Sequence, residues 1–284
     1  MTRARIQVLA AALLFSTGGA AIKAIDLTGW QIASFRSGVA ALVLLSVVPA
    51  ARRIFNPRIV AVGVAYAATL VCYALANRLT TAANTIFLQA TAPLYLLLLA
   101  PLLLGERLRN RDLALMAVMV VGLAPFFLAQ AVPSATAPAP LAGNLLAALA
   151  GVCWAFVIVG LRAFGRREGG GDVALAAVTA GNLIAFLAAL PMALPVTGGA
   201  AGDWGIVVFL GTIQVGLAYL FLTAGVRRLP ALETSLLLLV EPVINPVWAW
   251  WLHGERPAGW AMAGGALILG ATAVSLLGSR RRTG

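Results

Sequence analysis

Apolar residues run in ten long stretches along this 284-residue chain, at about 6–25, 30–49, 59–77, 82–104, 113–131, 141–162, 172–194, 204–225, 231–252 and 258–278, with short polar segments between them. Each is long enough to cross a bilayer as a helix, which takes about 20 residues. The runs are continuous rather than alternating, which excludes a transmembrane barrel. The pattern therefore predicts an all-α membrane protein of ten spans joined by short loops, with no room for a soluble domain. Arg3 and Arg5 before the first run resemble the start of a signal peptide. No clear small-residue cleavage site precedes Lys23 and nine more runs follow, so the first run reads as the first helix.

The pattern repeats. At an offset of 149, Ala82, Thr85, Leu88, Pro93, Ala100, Leu103, Gly105, Glu106 and Arg107 meet identical residues at Ala231, Thr234, Leu237, Pro242, Ala249, Leu252, Gly254, Glu255 and Arg256. An offset of 139 pairs Phe15 with Trp154 and Lys23 with Arg162. Such a period is far too long for a solenoid. Each half holds five spans, an odd number, so the second half enters the membrane from the side opposite the first. The units are then inverted repeats, with a site expected between them. The units are expected at 1–132 and 141–284, joined by a Pro-, Ala- and Ser-rich linker at 133–140.

Composition agrees: 62% of residues are hydrophobic, 10% are charged and mean hydropathy is +0.97, against about a quarter charged in soluble domains. A net charge of +11 would suggest nucleic acid in a soluble protein, but here the placement of the cations decides. With the N-terminus in the cytoplasm, sixteen of the twenty fall on that side: Arg3, Arg5, Arg52, Arg53, Arg58, Arg107, Arg109, Arg111, Arg162, Arg166, Arg167, Arg227, Arg228, Arg280, Arg281 and Arg282. That bias is the positive-inside rule and predicts both termini in the cytoplasm. The basic charge thus speaks for topology and not for nucleic-acid binding. Cys72 and Cys153 lie within spans and read as small buried hydrophobes, with no disulfide.

The chemistry lies in the few polar groups at depth. Pro93 and Pro242 sit mid-span, where each removes a backbone hydrogen bond and clashes with the carbonyl four residues back, at Gln89 and Leu238, so both helices should kink as hinges. Glu241, well inside a span, is costly there. It shares a helical face with Asn245 and Trp248. One reading makes it a proton or substrate-ammonium site; the other makes it a neutral acid hydrogen-bonded across helices, since Ala92 replaces it in the first repeat. Lys23 and Arg36 suit either an anion site for a substrate carboxylate or a structural arrangement, the favoured one for Lys23, in which Lys23 pairs with Asp26 and Arg36 snorkels. Phe15, Tyr73, Asn84, Gln89, Tyr95, Trp154, Tyr219 and Trp248 are candidates to line a pocket, and Asn84, Thr91 and Tyr95 form a polar stripe. Trp204, Trp250, Trp251 and Trp260 suit the interfacial belt. Glu233, nearer a helix end, is expected at the interface.

Several features are missing. No Gly-rich phosphate loop ending in Gly-Lys-Ser or Gly-Lys-Thr occurs, so transport would be secondary or facilitated. The sole histidine, His253, has no second His or Cys beside it, which argues against a metal. No nucleophile–base pair is visible, so neither an enzyme nor a cofactor is expected.

Phe15 to Lys23, Ser34-Phe35-Arg36, Thr80 to Asn84 leading to Pro93 and Gly105-Glu106-Arg107, and Glu241-Pro242 leading to Gly254-Glu255-Arg256 together resemble the drug/metabolite transporter superfamily, within it the exporters built from two EamA-type domains. The resemblance covers nearly the whole chain and extends in length and layout to the aromatic amino-acid exporters. It implies ten helices in inverted halves and export of small metabolites, often amino acids, or of drugs. The expectation is a multi-pass protein of a bacterial-type inner membrane that moves a small-molecule substrate, with amino acids first, by alternating access. A drug or other solute carrier is the alternative. A membrane-embedded transferase would have only His253 and Glu255 to work with, and a lipid scramblase would need no polar cavity.

Overall fold

The computed structural model describes residues 2–104, 110–128, 132–168, 171–226, 228–229 and 231–280. The first Gly-Glu-Arg copy, Gly105-Glu106-Arg107, lies outside them, as do Arg109, Arg227, Arg281 and Arg282. Apart from one isolated bridge between Ser134 and Ala137 in the linker, the regular structure among the described residues is helical. The α-helices in chain order are α1 (Thr2–Ser16), α2 (Gly18–Lys23), α3 (Gly29–Val47), α4 (Pro57–Leu79), α5 (Ala82–Gln89), α6 (Ala92–Leu104), α7 (Asn110–Leu128), α8 (Pro140–Glu168), α9 (Gly171–Ala193), α10 (Ala201–Phe209), α11 (Ala218–Val226), α12 (Ala231–Leu238), α13 (Val240–His253) and α14 (Gly259–Arg280).

Eight stretches are long and apolar enough to cross a membrane: Arg3–Lys23, Gly29–Val47, Pro57–Leu79, Ala82–Leu99, Pro140–Leu161, Val173–Ala193, Ala201–Val226 and Glu233–His253. Asp112–Leu128 and Gly259–Val274 are shorter apolar helices. All fall on the apolar runs of the sequence. The helix starts follow local rules: Thr28 and Gln31 form a capping box before α3, Asn56 caps α4 ahead of Pro57, and Thr81 accepts from the Asn84 N–H at the start of α5.

Four of the apolar runs are not continuous helices. α5 ends at Gln89 and α12 at Leu238, the residues four before Pro93 and Pro242, so each proline breaks its run at the carbonyl it would clash with. In the first run Ser16 and Thr17 turn their hydroxyls onto the Leu13 and Leu14 carbonyls (both 2.7 Å), and the helix is interrupted at Thr17 between α1 and α2. Between α10 and α11 the chain runs as π-helix over Leu210–Leu217, which periodicity does not foretell.

The packing has the symmetry that the repeat requires. α4 lies along α8, and its repeat counterpart α11 lies along α1; α5 and α6 pack on α8 as α12 and α13 pack on α1. α3 packs on α9 and α7 on α14, and both of these pairs map onto themselves when the halves exchange. The hydrophobic periphery, with Leu42, Leu102, Leu128 and Trp251 all at least 70% exposed, is what a lipid-facing surface needs. Of the expected interfacial tryptophans, Trp250 and Trp251 are exposed, while Trp204 packs edge-on to Phe35 and Trp260 to Phe126.

Candidate functional site

Between the halves lies a cavity of about 270 Å³. Equivalent positions of the two repeats face it from opposite sides: Phe15 and Trp154, Ile86 and Ser235, Gln89 and Leu238, Ala90 and Leu239, Ala92 and Glu241, Pro93 and Pro242. The two proline breaks are therefore part of its wall. There, helical hydrogen bonding is interrupted inside protein and not against lipid, as a bilayer requires.

The wall is aromatic with a few polar groups. Phe15 meets Tyr219 edge-on at 5.1 Å between centroids, Tyr219 meets Tyr66 at 5.9 Å, and Tyr66 meets Trp154 at 6.2 Å. Arg36 reaches in from α3. It is 1% exposed, donates from Nη2 to the Leu70 carbonyl (2.9 Å) and holds its guanidinium 5.9 Å from the Tyr73 ring centre, while Nε is unpartnered. Glu241 faces the cavity from the other half. Its carboxyl makes no hydrogen bond or ion pair to the described residues, so the cross-helix hydrogen bond of the structural reading is absent there. One wall thus carries an unpaired cation and another an unpaired carboxyl.

Gln89 and Gln214 both line the space and leave their Oε1 atoms unsatisfied, while Gln214 Nε2 donates to the Phe15 carbonyl (3.3 Å). Beside it, Asn245 Nδ2 donates to the Tyr73 hydroxyl (3.4 Å). Gly18 and Gly19 leave room for this approach: a Cβ on either would lie 2.8 Å from the Gln214 or Asn245 amide and displace it.

Of the expected pocket residues, Phe15, Arg36, Tyr73, Gln89, Trp154, Tyr219 and Glu241 come together here, with Pro93 and Pro242. Asn84, Tyr95 and Trp248 do not. Asn84 donates to Thr80 Oγ1 (3.2 Å) and Asn144 Oδ1 (3.1 Å), and Asn144 donates on to the Phe126 carbonyl (2.6 Å), so a polar knot that joins α5, α7 and α8 consumes it. Tyr95 packs over Gly151 of α8, and Trp248 donates to Ser16 Oγ (3.0 Å). The break at Ala90–Thr91 puts Asn84 and Tyr95 on different helices, so the two do not form one polar stripe.

Sequence reasoning did not single out Tyr66, Thr69, Gln214 and Ser235. Tyr66, Thr69 and Tyr73 stand at helical spacing on one face of α4, a usable signal. Gln214 carries none: five residues before Tyr219, it would point about 140° away on a regular helix, and only the π-segment turns it inward.

Lys23 is also placed differently than expected. It pairs with Glu255 (3.0 Å), not with the exposed Asp26, whose backbone N–H donates to Asp203 Oδ1 (3.2 Å). The partner is 232 residues away in sequence and arrives only because α13 packs on α2. Glu233, expected at the interface, pairs with Arg5.

The sequence profile of the EamA-like transporter family matches residues 2–128 and again 141–277. Among solved structures, a crystal structure described only as that of a protein is 23% identical over the whole of both chains, with a TM-score of 0.64, and so shares the fold. No curated protein matches.

Proposed function

The chain belongs to the EamA-like transporter family, within the drug/metabolite transporter superfamily, and from that premise we propose that this membrane transporter exports small zwitterionic metabolites, amino acids foremost. The observation that carries the proposal is the cavity between the repeats, which offers the Arg36 guanidinium on one wall and the Glu241 carboxyl on another, neither in an ion pair among the described residues, with aromatic rings around them. A charge at depth is costly without a partner. A solute with one carboxylate and one ammonium supplies both partners at once, and its side chain lies against Phe15, Tyr66, Trp154 and Tyr219. The volume of about 270 Å³ lies just below the roughly 300–1,000 Å³ usual for ligand pockets. It suits one small metabolite better than the bulkier drug carried in the alternative reading.

Movement follows by alternating access as the halves rock about the breaks before Pro93 and Pro242, with no ATP-binding machinery in the chain. The ten runs form two inverted five-helix units in a bacterial-type inner membrane. Both termini are cytoplasmic, so the Arg5 end of the molecule faces in and the Lys23 end faces out.

Counterflow into liposomes loaded with a panel of unlabelled amino acids tests this. Accelerated entry of the matching radiolabelled solute is expected. If every zwitterion fails while a cationic drug exchanges, the substrate class is wrong.

A further inference from the structure

We propose that Lys23 and Glu255 are the outer latch of the transport cycle, a buried ion pair that must break before the cavity can open at the Lys23 end. The inference rests on the alternating-access reading and adds where the closed end is held and what is held together.

The pair is built and not incidental. The side chains of Lys23 and Glu255 are 4% and 3% exposed, with Nζ 3.0 Å from Oε2. Lys23 Nζ also donates to the carbonyls of Thr80 (2.9 Å) and Thr136 (2.6 Å), while its contact with Glu255 Oε2 is an ion pair and not a formed hydrogen bond. Glu255 Oε1 accepts from the Ala82 N–H (2.6 Å), the first residue of α5, where a carboxylate also meets the positive end of the helix dipole. Next to the pair, His253 Nε2 donates to the Ala20 carbonyl (2.8 Å). Four segments therefore meet at one ion pair: the end of α2, the start of α5, the linker and the turn after α13.

Two of those segments are the outer halves of the proline-broken runs. α5 leads to the break at Ala90–Thr91, and α13 runs from the break at Leu239 to His253, two residues before Glu255. The latch clamps their free ends at the far side of the cavity from Arg5. The turn that aims Glu255 depends on Gly254, whose φ of +63° ends α13 while the Gly254 and Glu255 N–H groups bond back to Trp250 (2.9 Å) and Ala249 (3.3 Å). This accounts for the Gly and the Glu of the second Gly-Glu-Arg: one turns the chain, the other locks it. At the opposite end α1 meets α12 through Arg5 and Glu233, whose side chains are 50% and 26% exposed, so that tie is open to water. The structure is thus held shut at the Lys23 end.

The test uses the full-length protein in sealed proteoliposomes, with Cys72 and Cys153 replaced by alanine and the reporter Ala90→Cys on the cavity wall at the break. A membrane-impermeant thiol reagent is applied at the Lys23 end. With the latch intact, labelling is expected to be slow. In Glu255→Gln, which keeps the acceptor for Ala82, and in Lys23→Met, labelling should rise about tenfold or more, the response to ~1.4 kcal/mol in the closed–open balance. Labelling from the Arg5 end in the same variants reports that the cavity is still folded. If both variants keep parental labelling at the Lys23 end while the parent shows counterflow, the latch is refuted and the transport reading stands. If latch-dependent labelling appears but no solute exchanges in the parent, the latch stands and the transport reading falls.

Discussion

Replacing Arg36 by glutamine should move function and stability in opposite directions. The guanidinium is 1% exposed, its single hydrogen bond goes to the Leu70 carbonyl, and no carboxylate among the described residues neutralises it. Leu70 lies inside α4, so its carbonyl keeps an intrahelical partner when the arginine is gone. Glutamine removes an uncompensated buried charge, a change that is often neutral or stabilising. What is lost is the contact with a substrate carboxylate. Hydrogen bonds to charged groups contribute about 1.5–3 kcal/mol, so the half-saturating concentration in counterflow should rise about 10- to 150-fold. The melting temperature in detergent should hold or rise. Arg36→Lys should fall between, since it keeps the charge but not the planar fork. A half-saturation within twofold of the parent at matched abundance would remove Arg36 from the site. A melting temperature lowered by more than about 4 °C would make its role structural, because ~1 kcal/mol moves a protein of this size by a few degrees.

Glu241→Gln should abolish accumulation driven by a pH gradient and, because the substrate ammonium loses its charged partner, raise half-saturation in counterflow about 10- to 150-fold; parental pH-driven accumulation together with parental half-saturation would exclude Glu241 from the site. Pro93→Ala and Pro242→Ala should each restore a helical hydrogen bond and slow exchange several-fold, with binding measured by substrate protection of Ala90→Cys unchanged; parental exchange rates in both would mean that the breaks are not hinges. Asn84→Leu should cost about 1–3 kcal/mol of stability by removing the two buried hydrogen bonds that Asn84 donates to the Thr80–Asn144 pair, with half-saturation unchanged; a shift in half-saturation without loss of stability would return Asn84 to the cavity.

Much of this protein was legible in one dimension. Continuous apolar runs dictate helices because a bilayer leaves no other way to satisfy the backbone. The placement of Pro93 and Pro242 dictated where two runs break, since a missing N–H and a ring clash act on the chain's own fourth neighbour. The caps at Thr28, Asn56 and Thr81 are local as well, each made by a side chain at the helix start. The repeat pointed to a site between halves, and the positions it equates, from Phe15 and Trp154 to Ala92 and Glu241, do line one cavity.

Tertiary structure alone decided the partners. Asn84 looked like a pocket residue on a polar stripe, but the broken helix and the distant Asn144 took its hydrogen bonds. Lys23 had Asp26 three residues away and pairs with Glu255 across the whole chain, because burial at the meeting of four segments strengthens an ion pair that water would weaken for an exposed neighbour. Gln214 reaches the cavity only through a π-turn. The proline breaks follow from forces that act within a few residues, which the sequence writes out in order. Which polar atoms meet depends on how helices from the two halves dock, and no local pattern encodes that.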